Sequence, residues 1–286
     1  MNITIVGHVC IDKNVSEHAS YTSAGSPAMF MDKIYRQFPD TDVQIVAPYG
    51  PDFLEYKGEA TLYPEEPNTK CTLVYENVSK NGMRHQKAYN RDEALPIVVD
   101  SILDHSLQKT DIVFFAPLLP NMPVSYVQAL TGITHTSALK ILLPQGYYRD
   151  FDSEDNVKVR TFDDADSILP LVDIVIVSEQ DHTDMFSLAS KWATQFDVIV
   201  IVTCGEKGAV AVTETGRFEL PARAVAENDI VDSVGSGDIF SAGFSYRYHQ
   251  THDLLESGRF ANELARQCLF YTPDTIKIDY HSLIHT

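Results

Sequence analysis

The chain has 286 residues, 44% hydrophobic and 22% charged, with 40 Asp and Glu against 22 Lys and Arg for a formal net charge of -18. This is the profile of a globular protein with a sizeable core, and its acidity argues against nucleic acid or an anionic membrane as partner, because like charges repel. No run approaches the roughly 18 consecutive apolar residues of a membrane span, and four scattered cysteines without CxxC spacing argue against a zinc site or disulfide framework, so a reducing cytoplasm is the expected compartment.

The opening MNITIVGHVCID has no basic leader and reads as a first strand rather than a signal peptide. Short Val- and Ile-rich runs at 3–7, 43–47, 111–116, 138–143, 173–177 and 198–203 have the pattern of buried parallel strands. Segments with helical spacing, 28–38, 124–130 and 185–196, lie between them. Alternation of this kind predicts an α/β fold, a doubly wound, mostly parallel sheet with helices on both faces.

One region departs from the alternation. Residues 70–90 contain two β-prone runs around Ser79-Lys80-Asn81-Gly82, and Asn-Gly is a strong hairpin signal. Together with 12–23 this hairpin predicts a small second sheet over residues 12–23 and 70–91. The main domain then takes 1–11, 24–69 and 92–286. Such a sheet reads either as a lid or as a plain surface hairpin. It also offers a surface on which two copies could pair into a homodimer, unless Lys80, Arg84 and Lys87 protect it as a free edge.

Two acidic or histidine patterns carry less. The run 150–155 has carboxylates at alternate positions but lacks the glycine that a calcium loop requires, so a solvated acidic loop is expected. His281 and His285 are spaced for one helix face but have no third ligand nearby.

The most informative stretch is Asp232-Ser233-Val234-Gly235-Ser236-Gly237-Asp238, which runs into a helical segment with Phe240, Phe244 and Tyr248 on one face. Gly235, Ser236 and Gly237 therefore open a helix, where backbone amides lack intrahelical partners and the dipole is positive. Phosphoryl transfer needs a receptacle for charge, a base near the attacking hydroxyl, and no bulk in the way. The small residues supply the first and third, and Asp238, in the first turn, supplies the second. Read from the residues alone, an ordinary glycine-rich turn at a helix start is the competing explanation.

DSVGSGDIFSAGF resembles the C-terminal signature of the ribokinase-like carbohydrate kinase family (PfkB family), D-T-x-G-A-G-D-x-F-x-A-G-F. The resemblance implies that Asp238 is the catalytic base, that Gly235, Ser236 and Gly237 form the anion hole, and that Asp232 belongs to a monovalent cation site, K+ being the candidate. Val202-Thr203-Cys204-Gly205-Glu206-Lys207-Gly208 resembles the family's V-T-x-G-x-x-G turn beside the nucleotide, which implies that Thr203, Gly205, Lys207 and Gly208 meet ATP. Gly7-His8-Val9-Cys10-Ile11-Asp12 resembles the first strand, whose terminal Asp binds substrate hydroxyls, and Gly50-Pro51-Asp52-Phe53 resembles the G-x-D element. The hairpin at 70–90 falls where the family places its lid.

Two departures stand out. The family's Gly-Gly motif is replaced here by Ala24-Gly25-Ser26-Pro27-Ala28-Met29, which leaves Gly25 and Ser26 at a substrate-contact position. The N-x-x-E element, linked to Mg2+ and phosphate, maps to Ser178-Glu179-Gln180-Asp181.

A polyol pocket needs several hydrogen-bonding groups, which Asp12, Asn90 and Arg91 can supply. Gln145-Gly146-Tyr147-Tyr148-Arg149 follows a strand end, where ligands of open sheets bind, and is similar to a Q-G-x-x-R stretch of inositol and related sugar kinases. Gln145 and Arg149 are therefore substrate candidates, with an ordinary surface ion pair as the alternative for Arg149. The reading is an ATP-dependent kinase of a sugar or polyol, inositol-like. Tyr89, Tyr147 and Tyr148 keep a nucleoside kinase open, and the altered motifs at 24–29 and 178–181 keep open a ligand-binding protein that has lost catalysis. A nicotinamide dehydrogenase is a poor reading, because Gly7 stands without the rest of G-x-G-x-x-G.

Overall fold

A computed structural model of the protein describes residues 1–15, 20–80 and 83–284. In chain order it contains β1 (Asn2–Gly7), β2 (Cys10–Val15), β3 (Ser20–Gly25), α1 (Pro27–Tyr35), β4 (Asp42–Val46), β5 (Leu62–Tyr63), β6 (Leu73–Lys80) and β7 (Met83–Tyr89). There follow α2 (Ser101–Leu107), β8 (Ile112–Ala116), α3 (Val124–Ile133), β9 (Leu139–Leu142), β10 (Arg149–Phe151), β11 (Val157–Val159) and α4 (Ala165–Ile168). The chain ends with β12 (Ile174–Ser178), α5 (Met185–Phe196), β13 (Ile199–Thr203), β14 (Gly208–Thr213), β15 (Gly216–Pro221), α6 (Ser236–Thr251), α7 (Leu254–Cys268) and α8 (Tyr280–Ile284).

Nine strands form the main sheet in the order β15-β14-β13-β12-β9-β8-β1-β4-β5. β5 through β13 are parallel, and β14 and β15 add an antiparallel edge. Each run read as a buried strand is one. Because side chains alternate along a strand, Ile112, Phe114 and Ala116 face a core shared with α1, α6 and α7, while Val113 and Phe115 face a second core shared with α2, α3 and α5. The sheet is thus covered on both faces, as runs without polar alternation require.

The second sheet is four-stranded, in the order β3-β2-β6-β7, with β2 and β6 parallel across the join of the two hairpins. The Asn81-Gly82 turn, residues 16–19 and His285 lie outside the described residues. The acidic run 150–155 is more than a solvated loop. It lies in the β10–β11 hairpin and docks on β7, with Ala88 N–H donating to the Asp155 carbonyl at 3.0 Å and Arg91 paired to the Asp155 carboxylate at 2.6 Å. Asp152 caps this loop by accepting from the Asn156 side-chain amide and from the backbone N–H groups of Asn156 and Glu154, and these contacts, the Asn156 side chain foremost, hold its carboxyl down at about 2. Among the described residues no helix is long and apolar enough to cross a membrane, and the four cysteines are free thiols.

Following β1 the chain builds in one direction to β4 and β5, and later in the other to β8, β9, β12 and β13, so the order reverses between β1 and β8. Crevices outside the carboxyl ends of strands form at such a switch point. Phe114, fully buried in the strand beside it, tests the core that holds the switch point together. Phe114→Ala is expected to lower unfolding free energy by about 3–5 kcal/mol in urea titrations, with an unchanged m value.

Candidate active site

The site is assembled from the ends of β1, β8, β9, β12 and β13 and from the start of α6. Gly235 caps α6 in the left-handed region at φ 79°, and a Cβ there would lie 2.4 Å from the Phe30 ring of α1, so only glycine fits. The Ser236 N–H is taken up by the Ser233 carbonyl at 3.2 Å, and Gly235 O accepts from Ile239 N–H. Among the described residues, the N–H groups of Gly237 and Asp238 meet no acceptor. A Cβ on Gly237 would meet nothing within 4 Å, which leaves those amides open to an anion.

Ser236 and Gly237 face a cleft of about 490 Å³. Ser178, Thr203, Gly205 and Gly208 line it too, so four of the five residues expected at the nucleotide come together there. Lys207, the fifth, is exposed and lies in a neighbouring hollow with Arg217 and Glu219. The cleft is also lined by the apolar Val225, Ile230, Phe240, Ala265 and Leu269 and by Arg223, Asn262 and Arg266, with the carboxylates of Glu179 and Glu206 among the remaining lining groups. Apart from Phe240, which lies in the C-terminal signature, and Glu179 and Glu206, which lie in the segments 178–181 and 202–208, these residues carry no pattern in the sequence, because they come from a loop and from α7 and meet α6 only in the folded chain.

Asp238, next along the helix, faces another group of residues. Burial pushes its carboxyl from 3.8 up to about 7, with the positive charge of Arg149 opposing and the negative charge of Asp12 reinforcing the rise. Asp12 lies at the root of β2. It accepts from the Cys10 thiol at 3.6 Å and sits directly over Gly25, where a Cβ would come 2.1 Å from its Oδ2. Gly25 is therefore the space that Asp12 occupies. Burial and the carboxylates of Asp12 and Asp238 keep the Cys10 thiol protonated by raising its pKa.

The other sequence candidates are tied to structural partners. Ser26 caps α1 by accepting from Met29 N–H at 3.3 Å. Asn90 Nδ2 donates to the Thr72 carbonyl at 2.8 Å, and Arg91 lies 4.3 Å over the Phe151 ring while paired to Asp155. Gln145 is exposed. Asp52 of the G-x-D element accepts from Thr72 N–H and Oγ1–H, at 3.0 and 2.7 Å, and so ties the loop before β6. Asp181 accepts from Ser178 N–H at 2.7 Å, and burial raises its pKa against that bond and against the charge of Arg149. Asp232 accepts from Val234 N–H at 2.8 Å and so caps the turn that leads into Gly235. Tyr147 and Tyr148 are buried in the second core, where Tyr147 stacks on Phe162 at 4.6 Å, so neither offers a face to a nucleobase. Tyr89 is half-buried and bonds Glu76 at 3.4 Å.

Residues 61–278 match the pfkB family carbohydrate kinase domain, more than half of the chain. The chain belongs to that family. Among curated relatives, an uncharacterized sugar kinase of Archaeoglobus fulgidus is 25% identical over 217 residues, covering 74% of this chain and 76% of that protein. A cytidine kinase of Thermococcus kodakarensis is 32% identical over 96 residues, 34% of this chain, and the match spans only 33% of its length. The match to a 2-dehydro-3-deoxygalactonokinase of Haloferax volcanii spans 28% of that protein. Among solved structures, an ATP-bound fructokinase of Xylella fastidiosa superimposes with a TM-score of 0.74 at 18% identity, over 99% of this chain and 98% of that one. A pyrophosphate-dependent myo-inositol kinase, engineered by two substitutions, does so with a TM-score of 0.75 at 14% identity, over 94% and 93%. The fold is the ribokinase-like one that the C-terminal signature implied.

Because folding raises the Asp238 pKa from 3.8 to about 7, the fold prefers the protonated carboxyl. That preference contributes fully below about pH 4 and is lost as pH rises through about 7. Asp238→Asn, neutral at every pH, is expected to be more stable than the parent at pH 8, by an amount on the order of 1–3 kcal/mol. At pH 4 the two should melt together, a comparison calorimetry reads directly.

Proposed function

We propose that this chain transfers the γ-phosphoryl group of ATP to a hydroxyl of a small sugar or polyol, inositol-like, with Asp238 as the base. One observation carries the reading: consecutive residues of α6 serve two compartments. Ser236 and Gly237 face the cleft, while Asp238 faces Asp12 and Arg149. A phosphoryl group at the open amides of Gly237 and Asp238 therefore lies between donor and acceptor. In the transfer the acceptor oxygen bonds to the γ-phosphorus, the bond to the β-bridging oxygen breaks, and the hydroxyl proton passes to Asp238. The amides receive charge as it builds on the phosphoryl oxygens.

The apolar side of the cleft supports a nucleotide donor, since pyrophosphate has no surface to place there. Ser178, Thr203, Gly205 and Gly208 hold the phosphate end of ATP, and Lys207 contributes charge from its rim. Asp12 reads acceptor hydroxyls, with Gly25 giving it room, and the second sheet over 12–23 and 70–91 is the lid of this pocket. Among the described residues no three His, Cys, Asp or Glu side chains converge on a metal position. Mg2+ would enter on the phosphates of ATP and neutralise their charge when bound, with Asp181, in the turn that follows Ser178, as the carboxylate on that side. K+ would be held at Asp232, close to the anion hole.

Purified protein given ATP, Mg2+ and K+ should release ADP with one member of a panel of sugars, inositols and nucleosides. Asp238→Asn should lower kcat by about 10²–10⁴ while nucleotide still raises its melting temperature. The kcat/KM of the parent should climb with pH through a limb near 7, where Asp238 loses its proton. Melting shifts without turnover for any acceptor would make this a ligand-binding protein. Turnover fastest with a nucleoside, or with pyrophosphate in place of ATP, would replace the acceptor or donor named here.

A further inference from the structure

Helix α7 meets the cleft through Asn262, Ala265, Arg266 and Leu269, which share the cavity with Ser236 and Gly237 of α6. Spacings of three and four put them in one stripe along the helix. The loop before α6 runs beside that stripe. Ile230 lines the cleft, and the next residue, Val231, donates its N–H to the Leu269 carbonyl at 2.8 Å. Arg266 is thus set among apolar neighbours, away from the open amides at the mouth of α6.

Its guanidinium is held in place from behind. Nε–H and Nη2–H donate to the two carboxylate oxygens of Glu263, at 2.9 and 2.5 Å, and the guanidinium carbon lies 5.8 Å from the centre of the Phe270 ring. Glu263 is only 7% exposed, so the pair is two-pronged and its plane is fixed. An arginine has five N–H donors. The three that Glu263 does not take meet no partner among the described residues. Arg223, the other arginine of the cleft, stands 4.0 Å from Glu263 with a side chain 70% exposed, where water screens the contact.

The cleft therefore offers two kinds of surface. Unpaired amides at α6 suit an anion. At α7 the arginine's charge is already matched by a buried carboxylate, and a phosphate brought there would meet Glu263 as a like charge. A neutral, planar ligand suits that surface, because the guanidinium presents a flat, delocalised face and unused donors.

We propose that Arg266, braced by Glu263, reads the nucleobase of the donor: its guanidinium forms one wall of the base site, with Ile230 and Leu269 beside it, and so favours a nucleoside triphosphate over pyrophosphate. This rests on the reading of the cleft as an ATP site, and the test separates the two.

Calorimetric titration of the whole protein with Mg2+ and either ADP or pyrophosphate, with no acceptor present, reads base and phosphates apart. Arg266→Ala should raise the Kd for ADP by about tenfold and leave that for pyrophosphate within about twofold of the parent. Arg266→Lys, which keeps the charge but not the plane, should restore little of the loss. Glu263→Gln, which leaves the arginine unbraced, should weaken ADP in the same sense by a smaller factor. In turnover with the best acceptor of the panel, Arg266→Ala should raise the KM for ATP and leave kcat near the parent value, a split that a general loss of packing would not produce. Unchanged ADP affinity in Arg266→Ala, an equal loss for pyrophosphate, or full recovery in Arg266→Lys would overturn the proposal. If Arg266→Ala weakens ADP alone and the parent turns over no acceptor, the base site stands and the kinase reading falls. A parent that uses ATP while ADP affinity is unmoved in Arg266→Ala sinks only the base site, and a parent that binds pyrophosphate but not ADP sinks both.

Discussion

Helix α6 begins at a left-handed glycine pressed against an aromatic ring, and the geometry of the site follows from that junction. Gly235 at φ 79° turns the chain under Phe30, so that Ser236 and Gly237 line the cleft while Asp238, three residues after Gly235, is not among the residues that line it. α6 is anchored below by Ile239, Phe240 and Phe244, which bury against the sheet and α1, and Tyr35 donates to the Ala242 carbonyl at 3.1 Å. The helix mouth is therefore fixed by packing a turn deeper than the open amides, whose orientation the fold itself sets. Preorganised dipoles of this kind need no rearrangement as charge develops.

The same junction carries an electrostatic cost. A carboxylate pushed up to about 7 is one that the fold would rather hold neutral, and Asp12 adds a second negative charge in a protein of net charge -18. Nothing in the packing of α6 requires an acid there. Stability is sacrificed locally in the pattern of an active site, where strained or desolvated groups are tolerated because the surrounding core over-determines their position.

The sheet was legible in the sequence because its parallel strands are buried on both faces and so read as unbroken Val and Ile runs. The glycine turn was legible because small residues before an acid at a helix start are unusual enough to match a signature. What escaped notice is informative in physical terms. β15, at the sheet edge, exposes alternate residues that dilute its apolar pattern, and α7 is so polar on its outer side that its buried stripe of Phe260, Ala261 and Leu264 is easily overlooked. Asp238 was legible through its local context, whereas the structural partners of Ser26, Asn90 and Arg91, a helix-start amide, the Thr72 carbonyl and Asp155, follow from the fold and not from spacing. Arg149, whose Nη1 donates to the Leu118 carbonyl at 3.3 Å and whose guanidinium carbon lies 4.7 Å over the Tyr75 ring, meets partners from distant parts of the chain that no spacing rule connects.

The β10–β11 hairpin has a mechanical consequence. Its first residue is Arg149, and its tip is fastened to β7 through Asp155, Ala88 and Arg91. The second sheet is consequently not a free flap. Any swing of β7 must either rupture that fastening or drag the hairpin along, and Arg149 stands at the hairpin's root. A displacement of the second sheet is thus handed on to the hairpin and to the residue that begins it.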